Sequence, residues 1–279
     1  MEPYLDKNSN VRFFHQQPKY YNIGDDLCSP KHYFNFSAPH KVNIFGGGVE
    51  NSFYMPFIKK MGLDPQLSII WGVGQSIKNH HSPKFINELP FRFWRLRDID
   101  SVDNSHFLPC VSCLHPMLNS IANNTNQLIF INFDPNITTD HVKNTIQQRH
   151  NNINIIYNNC SDEMFKIALE NSHHIITNSF HGAYWGLLSG REVSLIGYST
   201  KFTSLLKIFQ LDLNKIIQVD RGCEESLLKA LDIAILGKNK QKLENSNFFL
   251  QKFRNMNINF ANELVNSKLF KKIELKNLV

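Results

Sequence analysis

Along most of this chain, apolar runs of strand length alternate with amphipathic stretches, and each run stops at a glycine cluster, a polar turn or a charged pair. Strands that alternate with helices pair in parallel, because a parallel neighbour is reached only by a crossover long enough to hold a helix. The first half predicts strands at 42–45, 67–71 and 93–96, which run into Gly46-Gly47-Gly48, Gly72-Val73-Gly74 and Arg97-Asp98. The second half predicts strands at 127–133, 153–157, 174–177, 193–196 and 215–219, with helices at 138–149, 161–171 and 200–209 between them. Thr138 or Thr139 and Ser161 are the expected caps of the first two helices. The pattern fades between 119 and 126, which divides the chain into an α/β lobe over 1–120 and a second over 121–237. Two Rossmann-like lobes facing one another across a cleft is therefore the expected α/β architecture. In the remaining segment, 238–279, Phe249, Phe253, Met256, Phe260 and Leu264 recur at helical spacing and mark one amphipathic helix. Its expected role is to pack back on the body of the protein. Glu263 and Glu274 interrupt the basic charge that a membrane-surface helix would need.

With 279 residues, 42% of them apolar, the chain can bury a core in each lobe. No apolar stretch approaches the roughly 20 residues that cross a bilayer. The opening Met1-Glu2-Pro3-Tyr4-Leu5-Asp6 lacks the regions of a signal peptide, so a cytoplasmic site is expected. The net charge of +6 suits an anionic small substrate, a membrane surface or nucleic acid alike. No zinc-finger spacing, RNP-like strand or arginine tract accompanies it, so a nucleic-acid partner is not expected. The five cysteines are odd in number and scattered, which argues against a disulfide framework. Cys110-Val111-Ser112-Cys113 is a lone C-x-x-C with only His106 and His115 near it in sequence, and reads as buried thiols beside a loop. His80-His81 and His173-His174 are adjacent pairs, which rarely converge on one ion, so no metal is expected.

The candidate chemistry lies at strand ends. Thr177-Asn178-Ser179-Phe180-His181-Gly182-Ala183 follows an apolar strand and leads into a helix expected to begin at or just after His181. That geometry brings a hydroxyl, an amide and an imidazole to the carboxyl end of a strand, with helix N–H groups that favour an anion; Ser179 could equally be a plain cap. Asn22-Ile23-Gly24-Asp25-Asp26 reads as a turn entering a first helix, with Asp25 or Asp26 near its cap or facing a substrate hydroxyl. Gly46-Gly47-Gly48 lets the backbone approach a ligand, yet no G-K-[ST] follows and no G-x-G-x-x-G is present, so nucleotide hydrolysis and nicotinamide binding are disfavoured. Arg97 supplies a fork for a carboxylate or phosphate, or an internal pair with Asp98. Lys201 starts the helix after the 193–196 strand.

Taken in order, the N-x-G-D opening (Asn22, Gly24, Asp25), the triple glycine, the W-G-x-G strand end (Trp71 to Gly74), the Arg97-Asp98 pair, the S-F-H-G-A turn and Lys201 resemble the polysaccharide pyruvyltransferase family. The resemblance spans roughly residues 20 to 210. It implies a GT-B-type fold with the acceptor on the first lobe and the donor on the second. The implied reaction moves a pyruvyl group from phosphoenolpyruvate, a co-substrate rather than a cofactor, onto a sugar of a capsule, lipopolysaccharide or exopolysaccharide precursor. By the same resemblance, His181 and Asp25 are the catalytic pair. Arg97, Ser179, Asn178, Lys201 and Gly182 hold the donor, and Asn22, Gly24, Asp26, Gly47, Gly48 and Asp98 hold the acceptor. Many members carry an arginine two residues before the motif histidine, where this chain has Ser179, so the donor's charge falls to Arg97, Lys201 and backbone N–H groups. A GT-B glycosyltransferase using a nucleotide sugar shares the expected fold, and a glycan-binding protein without catalysis is a third reading. A lipid-linked acceptor would give the basic C-terminal helix a peripheral membrane contact; the sequence carries no signal for an oligomeric state.

Overall fold

The computed structural model of the chain describes residues 4–5, 10–14, 20–48, 58–78, 82–122, 125–133 and 140–277. The expected caps Thr138 and Thr139, the pair His80-His81, and Met1, Glu2, Pro3 and Asp6 of the opening segment lie outside these residues. In the first half the elements are β1 (Tyr4–Leu5), β2 (Val11–Phe14), α1 (Ile23–Leu27), β3 (Phe34–Ser37), β4 (Val42–Gly46), β5 (Ser68–Val73) and β6 (Phe93–Leu96). The second half adds β7 (Gln127–Ile131), α2 (Asp140–Arg149), β8 (Asn154–Tyr157), α3 (Asp162–Glu170), β9 (His174–Thr177) and α4 (Phe180–Leu188). It continues with β10 (Glu192–Gly197), α5 (Thr200–Ile208), β11 (Ile217–Gln218), α6 (Glu224–Ile235), α7 (Ser246–Asn266) and β12 (Lys272–Leu275).

The protein is α/β, with two five-stranded sheets that are parallel except for β1. The first has the order β1-β2-β4-β5-β6 and the second β11-β10-β9-β7-β8. Numbered from β7, the second order reads 2-1-3-4-5, the doubly wound arrangement whose switch point falls between its first and third strands. Burial explains why both faces of this sheet are covered. Along β7, Leu128 and Phe130 face a core shared with α3, α4 and α5, whereas Ile129 and Ile131 face a second core built with α2 and α6. The first sheet divides in the same way: Ile44, Ile69 and Trp71 join the shared core, and Phe45, Ile70 and Val73 pack on the opposite side. One apolar cluster therefore runs continuously from the first sheet to the second.

The α7 helix packs back across this cluster. Phe260 meets Trp71 edge-on at 4.9 Å, and Trp71 donates its indole N–H to Asn257 Oδ1 at 2.8 Å. Glu263 accepts two hydrogen bonds from Arg95 Nη2, at 3.0 and 2.9 Å. Beyond α7, β12 returns to pair antiparallel with β3. Several expectations shift. The expected 67–71 strand continues through Gly72 to Val73, and the expected 127–133 strand stops at Ile131. The expected 215–219 strand begins on the last residue of a 3-10 turn (Leu213–Lys215) and is strand only at its centre, as β11. The structure adds β2, β3, β12 and α6 to the expected elements. Charged and polar residues interrupt the strands β2, β3 and β12. In α6, by contrast, Leu227, Ala230, Leu231 and Ala234 carry a clear helical spacing.

Asn257 is fully buried and also donates to Pro109 O and Phe253 O, so its amide is enclosed by partners. Replacing it with leucine leaves the buried Trp71 N–H without an acceptor, which costs about 1–3 kcal/mol. Chemical denaturation of Asn257→Leu is expected to show that loss as a lower unfolding midpoint with an unchanged slope.

Candidate functional site

Two short segments bring the site together. Asn22 caps α1, accepting from Gly24 N at 3.0 Å through its Oδ1 while its Nδ2 donates to Asp25 Oδ2 at 3.0 Å. The cap is thus Asn22, and Asp25 and Asp26 lie near it as expected, in the first turn, where carboxylates favour the helix dipole. The other segment is the turn after β9. Thr177 Oγ1 donates to Phe130 O at 2.6 Å and accepts from Ser179 N at 2.9 Å, which locks the turn to β7. Ser179 caps α4, its Oγ accepting from Gly182 N at 3.4 Å. The helix starts at Phe180, one residue ahead of the expected start, and this cap sets its beginning.

His181 therefore sits in the first turn of α4, only 5% exposed, against α1. A Cβ at Gly24 would overlap its Nδ1, so only glycine lets the ring in at that distance. Its Nε2 lies 3.3 Å from Cys28 Sγ and 3.7 Å from Cys110 Sγ. Neither cysteine was among the expected site residues. Cys110 is the first residue of the C-x-x-C, but its companions come from α1 and α4; His106 stacks on Trp94, and His115 caps a 3-10 turn. Burial pushes the Cys28 thiol well up, reinforced by its contact with Cys110. Burial acts the same way on Cys110, but hydrogen bonds from Cys28 and His181, with the charge of Arg97, hold it well below the ordinary thiol range.

Arg97 is the buried charge of the site. It is 2% exposed, its guanidinium stacks on the Phe180 ring at 3.9 Å, and neither Nε nor Nη1 has a hydrogen-bond partner among the described residues. A Cβ at Gly74 would overlap Nε, which ties the second glycine of W-G-x-G to this arginine. Burial raises the Asp25 carboxyl, while His181, Lys201 and Arg97 pull it back down without restoring the ordinary range. His181, Asp25 and Arg97 thus form one neighbourhood spanning α1, the end of β6 and the start of α4.

The other expected residues make the following contacts. Asp26 pairs with Lys31 at 3.2 Å and with His32 at 3.1 Å, and these partners hold its carboxyl low against the opposing effect of burial. Asn178 Oδ1 accepts from Asn132 N at 2.8 Å, and its carbonyl accepts from Asn132 Nδ2 at 2.8 Å. Asn158 Nδ2 donates to Asn132 Oδ1 at 2.9 Å, so asparagines line the carboxyl ends of β7, β8 and β9 at the switch point. Lys201 Nζ donates to Tyr198 Oη at 3.1 Å. Burial alone would raise that phenol; Lys201 and Arg221 bring it below its usual value. Gly47 and Gly48 have φ of 86° and 71°, and a Cβ at Gly47 would lie 2.9 Å from Cys28 Sγ. Gly182 is packed against Phe130 and Thr177, its N–H taken by the Ser179 cap.

Asp98 faces a different environment from Arg97. It is fully buried; Oδ2 accepts from Gln75 N, and Oδ1 has no partner among the described residues. Burial pushes its carboxyl up to about 6, against the opposing charge of Arg97. Its native value exceeds the unfolded one, so the folded state holds its proton longer and stability falls as pH rises between the two. Relative to Asp98→Asn, the wild type is expected to lose about 3 kcal/mol of unfolding free energy from about pH 3 to about pH 7. Urea titrations of both proteins across that range measure it. No family model matches this chain, and no curated protein matches it.

Proposed function

We propose that this chain is a polysaccharide pyruvyltransferase-like enzyme, built as two Rossmann-like lobes in a GT-B-type arrangement. The observation that carries the reading is the Arg97 guanidinium: buried, stacked on Phe180, with two N–H-bearing nitrogens lacking a partner among the described residues, beside His181 and Asp25. Buried N–H groups without an acceptor are costly in a resting protein even with the Asp98 and Asp25 carboxyls close by, and a carboxylate or phosphate would accept from them. Phosphoenolpyruvate carries both groups. Its transfer needs a proton at the methylene carbon, attack of an acceptor hydroxyl on the neighbouring carbon, and departure of phosphate; a second hydroxyl then closes the ketal. His181 supplies the proton, and Asp25, whose carboxyl burial holds above the ordinary carboxylate range, takes the proton of the attacking hydroxyl. Arg97 and Lys201 hold the donor's negative charge, and Ser179 shapes the turn without adding charge. The acceptor is a sugar of a capsule, lipopolysaccharide or exopolysaccharide precursor, met in the cytoplasm or at the inner face of the membrane. Among the described residues, no helix is long and apolar enough to cross a membrane.

A second reading, glycosyl transfer from a nucleotide sugar, draws on a cavity of about 260 Å³ at the carboxyl ends of β10 and β11. Tyr198, Asp220 and Ser226 line it, an aromatic face and polar groups of the kind that take a nucleoside. Thermal unfolding with each ligand separates the two readings. At a hundredfold excess over Kd, phosphoenolpyruvate is expected to stabilise the wild type by about 2.7 kcal/mol, a shift of several degrees in Tm. The shift is expected to vanish in Arg97→Ala, and phosphate release to fall by at least about a hundredfold in folded His181→Ala. Stabilisation by UDP, CMP or GDP with none by phosphoenolpyruvate would transfer the case to glycosyl transfer.

A further inference from the structure

Cys28, Cys110 and His181 come from three separate parts of the chain, and their Sγ, Sγ and Nε2 atoms all lie within 4.8 Å of one another. All three residues are buried. We propose that they form a binding site for a thiophilic divalent metal ion of the zinc class. The distances fit the chemistry. With Zn–S near 2.3 Å and Zn–N near 2.0 Å, a tetrahedral ion sets sulfur and nitrogen donors roughly 3.5 Å apart. The two Sγ–Nε2 distances, 3.3 and 3.7 Å, straddle that value. Two thiolates and a neutral imidazole suit a soft or borderline ion and disfavour magnesium or calcium, which take oxygen ligands.

The surroundings hold the donors in place. Cys110 is anchored through its carbonyl, which accepts from Tyr184 Oη at 3.0 Å. Its Sγ lies 3.2 Å from Ser112 Oγ, itself fixed by the Trp185 indole at 3.0 Å. The Cys28 thiol donates to Gly24 O at 2.8 Å, and Gly47 leaves the room this sulfur occupies. Gly24 in turn seats the imidazole against α1. The glycines of the N-x-G-D and G-G-G motifs thereby acquire a shared role beside the donors. Three protein ligands leave a fourth position for an exogenous ligand, the pattern of a site open to exchange. The unpartnered Arg97 nitrogens nearby favour an anion there. Binding forms two metal–sulfur bonds and one metal–nitrogen bond; Cys28, and Cys110 where it carries a proton, release their protons to solvent, and no electrons move. A metal on Nε2 removes that nitrogen from proton transfer, so the ion is an inhibitor of the step assigned to His181 above. Only this last consequence rests on the pyruvyl-transfer reading; the site itself rests on the side-chain geometry.

Cobalt(II) titration of the full-length, reduced protein tests the site without any assay of turnover. The wild type is expected to bind one equivalent, with sulfur-to-cobalt charge-transfer absorption and the visible bands of a four-coordinate ion, and zinc is expected to displace it. Cys28→Ser and Cys110→Ser are each expected to weaken binding by at least about tenfold, since even outer-shell partners contribute that much. Cys113→Ser and Cys223→Ser retain the wild-type spectrum. Circular dichroism and thermal unfolding confirm that each variant is folded. A wild type with no thiolate charge-transfer band, or a band that survives Cys28→Ser together with Cys110→Ser, overturns the proposal. So does a Cys28–Cys110 disulfide that persists under reduction. Loss of phosphoenolpyruvate binding with the cobalt spectrum intact would instead remove the proposed reaction and leave the metal site standing.

Discussion

The imidazole of His181 occupies the space that a side chain at position 24 would need, and much of the site is arranged around that contact. It requires α1 and α4 to approach closely, which in turn requires the two sheets to share one apolar core. Ile23 N donates to Asn158 O at 2.8 Å, so α1 is tied by its first residue to the carboxyl end of β8 in the other sheet. Tyr184 and Trp185, on the next turn of α4, reach back to Cys110 O and Ser112 Oγ. Polar links at both ends of the interface fix a geometry that the apolar contacts would define less sharply, because hydrogen bonds are directional and burial is not.

The same junction concentrates groups that a stability-optimised core would exclude. Arg97 and Asp98 are adjacent and buried, yet atoms of each side chain lack hydrogen-bond partners among the described residues. Removing such groups from water costs several kcal/mol unless a partner compensates. The rest of the fold supplies the offset: aromatic clusters around Trp71, Tyr184 and Phe253, and an α7 helix that covers the shared core from outside. Buried charge set in a rigid apolar frame is the arrangement in which fixed dipoles and charges act most strongly on a ligand. That contrast in satisfaction, between Arg97 and a residue such as Arg191, is informative. Arg191 is equally buried but donates to Ser120 O at 2.6 Å, Ser189 O at 2.7 Å and Leu169 O at 3.1 Å, as a structural arginine should.

Much of the α/β pattern can be read in the sequence because it depends on local periodicity. The strands at β6 and β9, the helices at α3 and α5, and the amphipathic α7 all carry their burial in residue spacing. Where the pattern is polar, as in β12 with Lys272 and Glu274, pairing with β3 makes the strand and no local signal announces it. The candidate site divides along the same line. His181, Arg97 and Asp25 were recognisable because each lies in a turn at a strand end or a helix start. Cys28 and Cys110 carry no such local signal, because they meet His181 only when the C-terminal end of α1 and the start of α4 come together.

The sequence by itself therefore determined the alternation of strands and helices, the glycines and polar turns at strand ends, and the face that each strong helix buries. These are properties of a few consecutive residues, set by sterics and by hydrophobic spacing. Only the tertiary structure decided that Asn22 rather than Asp25 caps α1, that Asp26 is taken by Lys31 and His32, and that Arg97 stacks on Phe180 with open donors. It also decided that two thiols and an imidazole meet. Those outcomes follow from which surfaces of two sheets come together, and residues far apart in the chain share no pattern until burial brings them into contact.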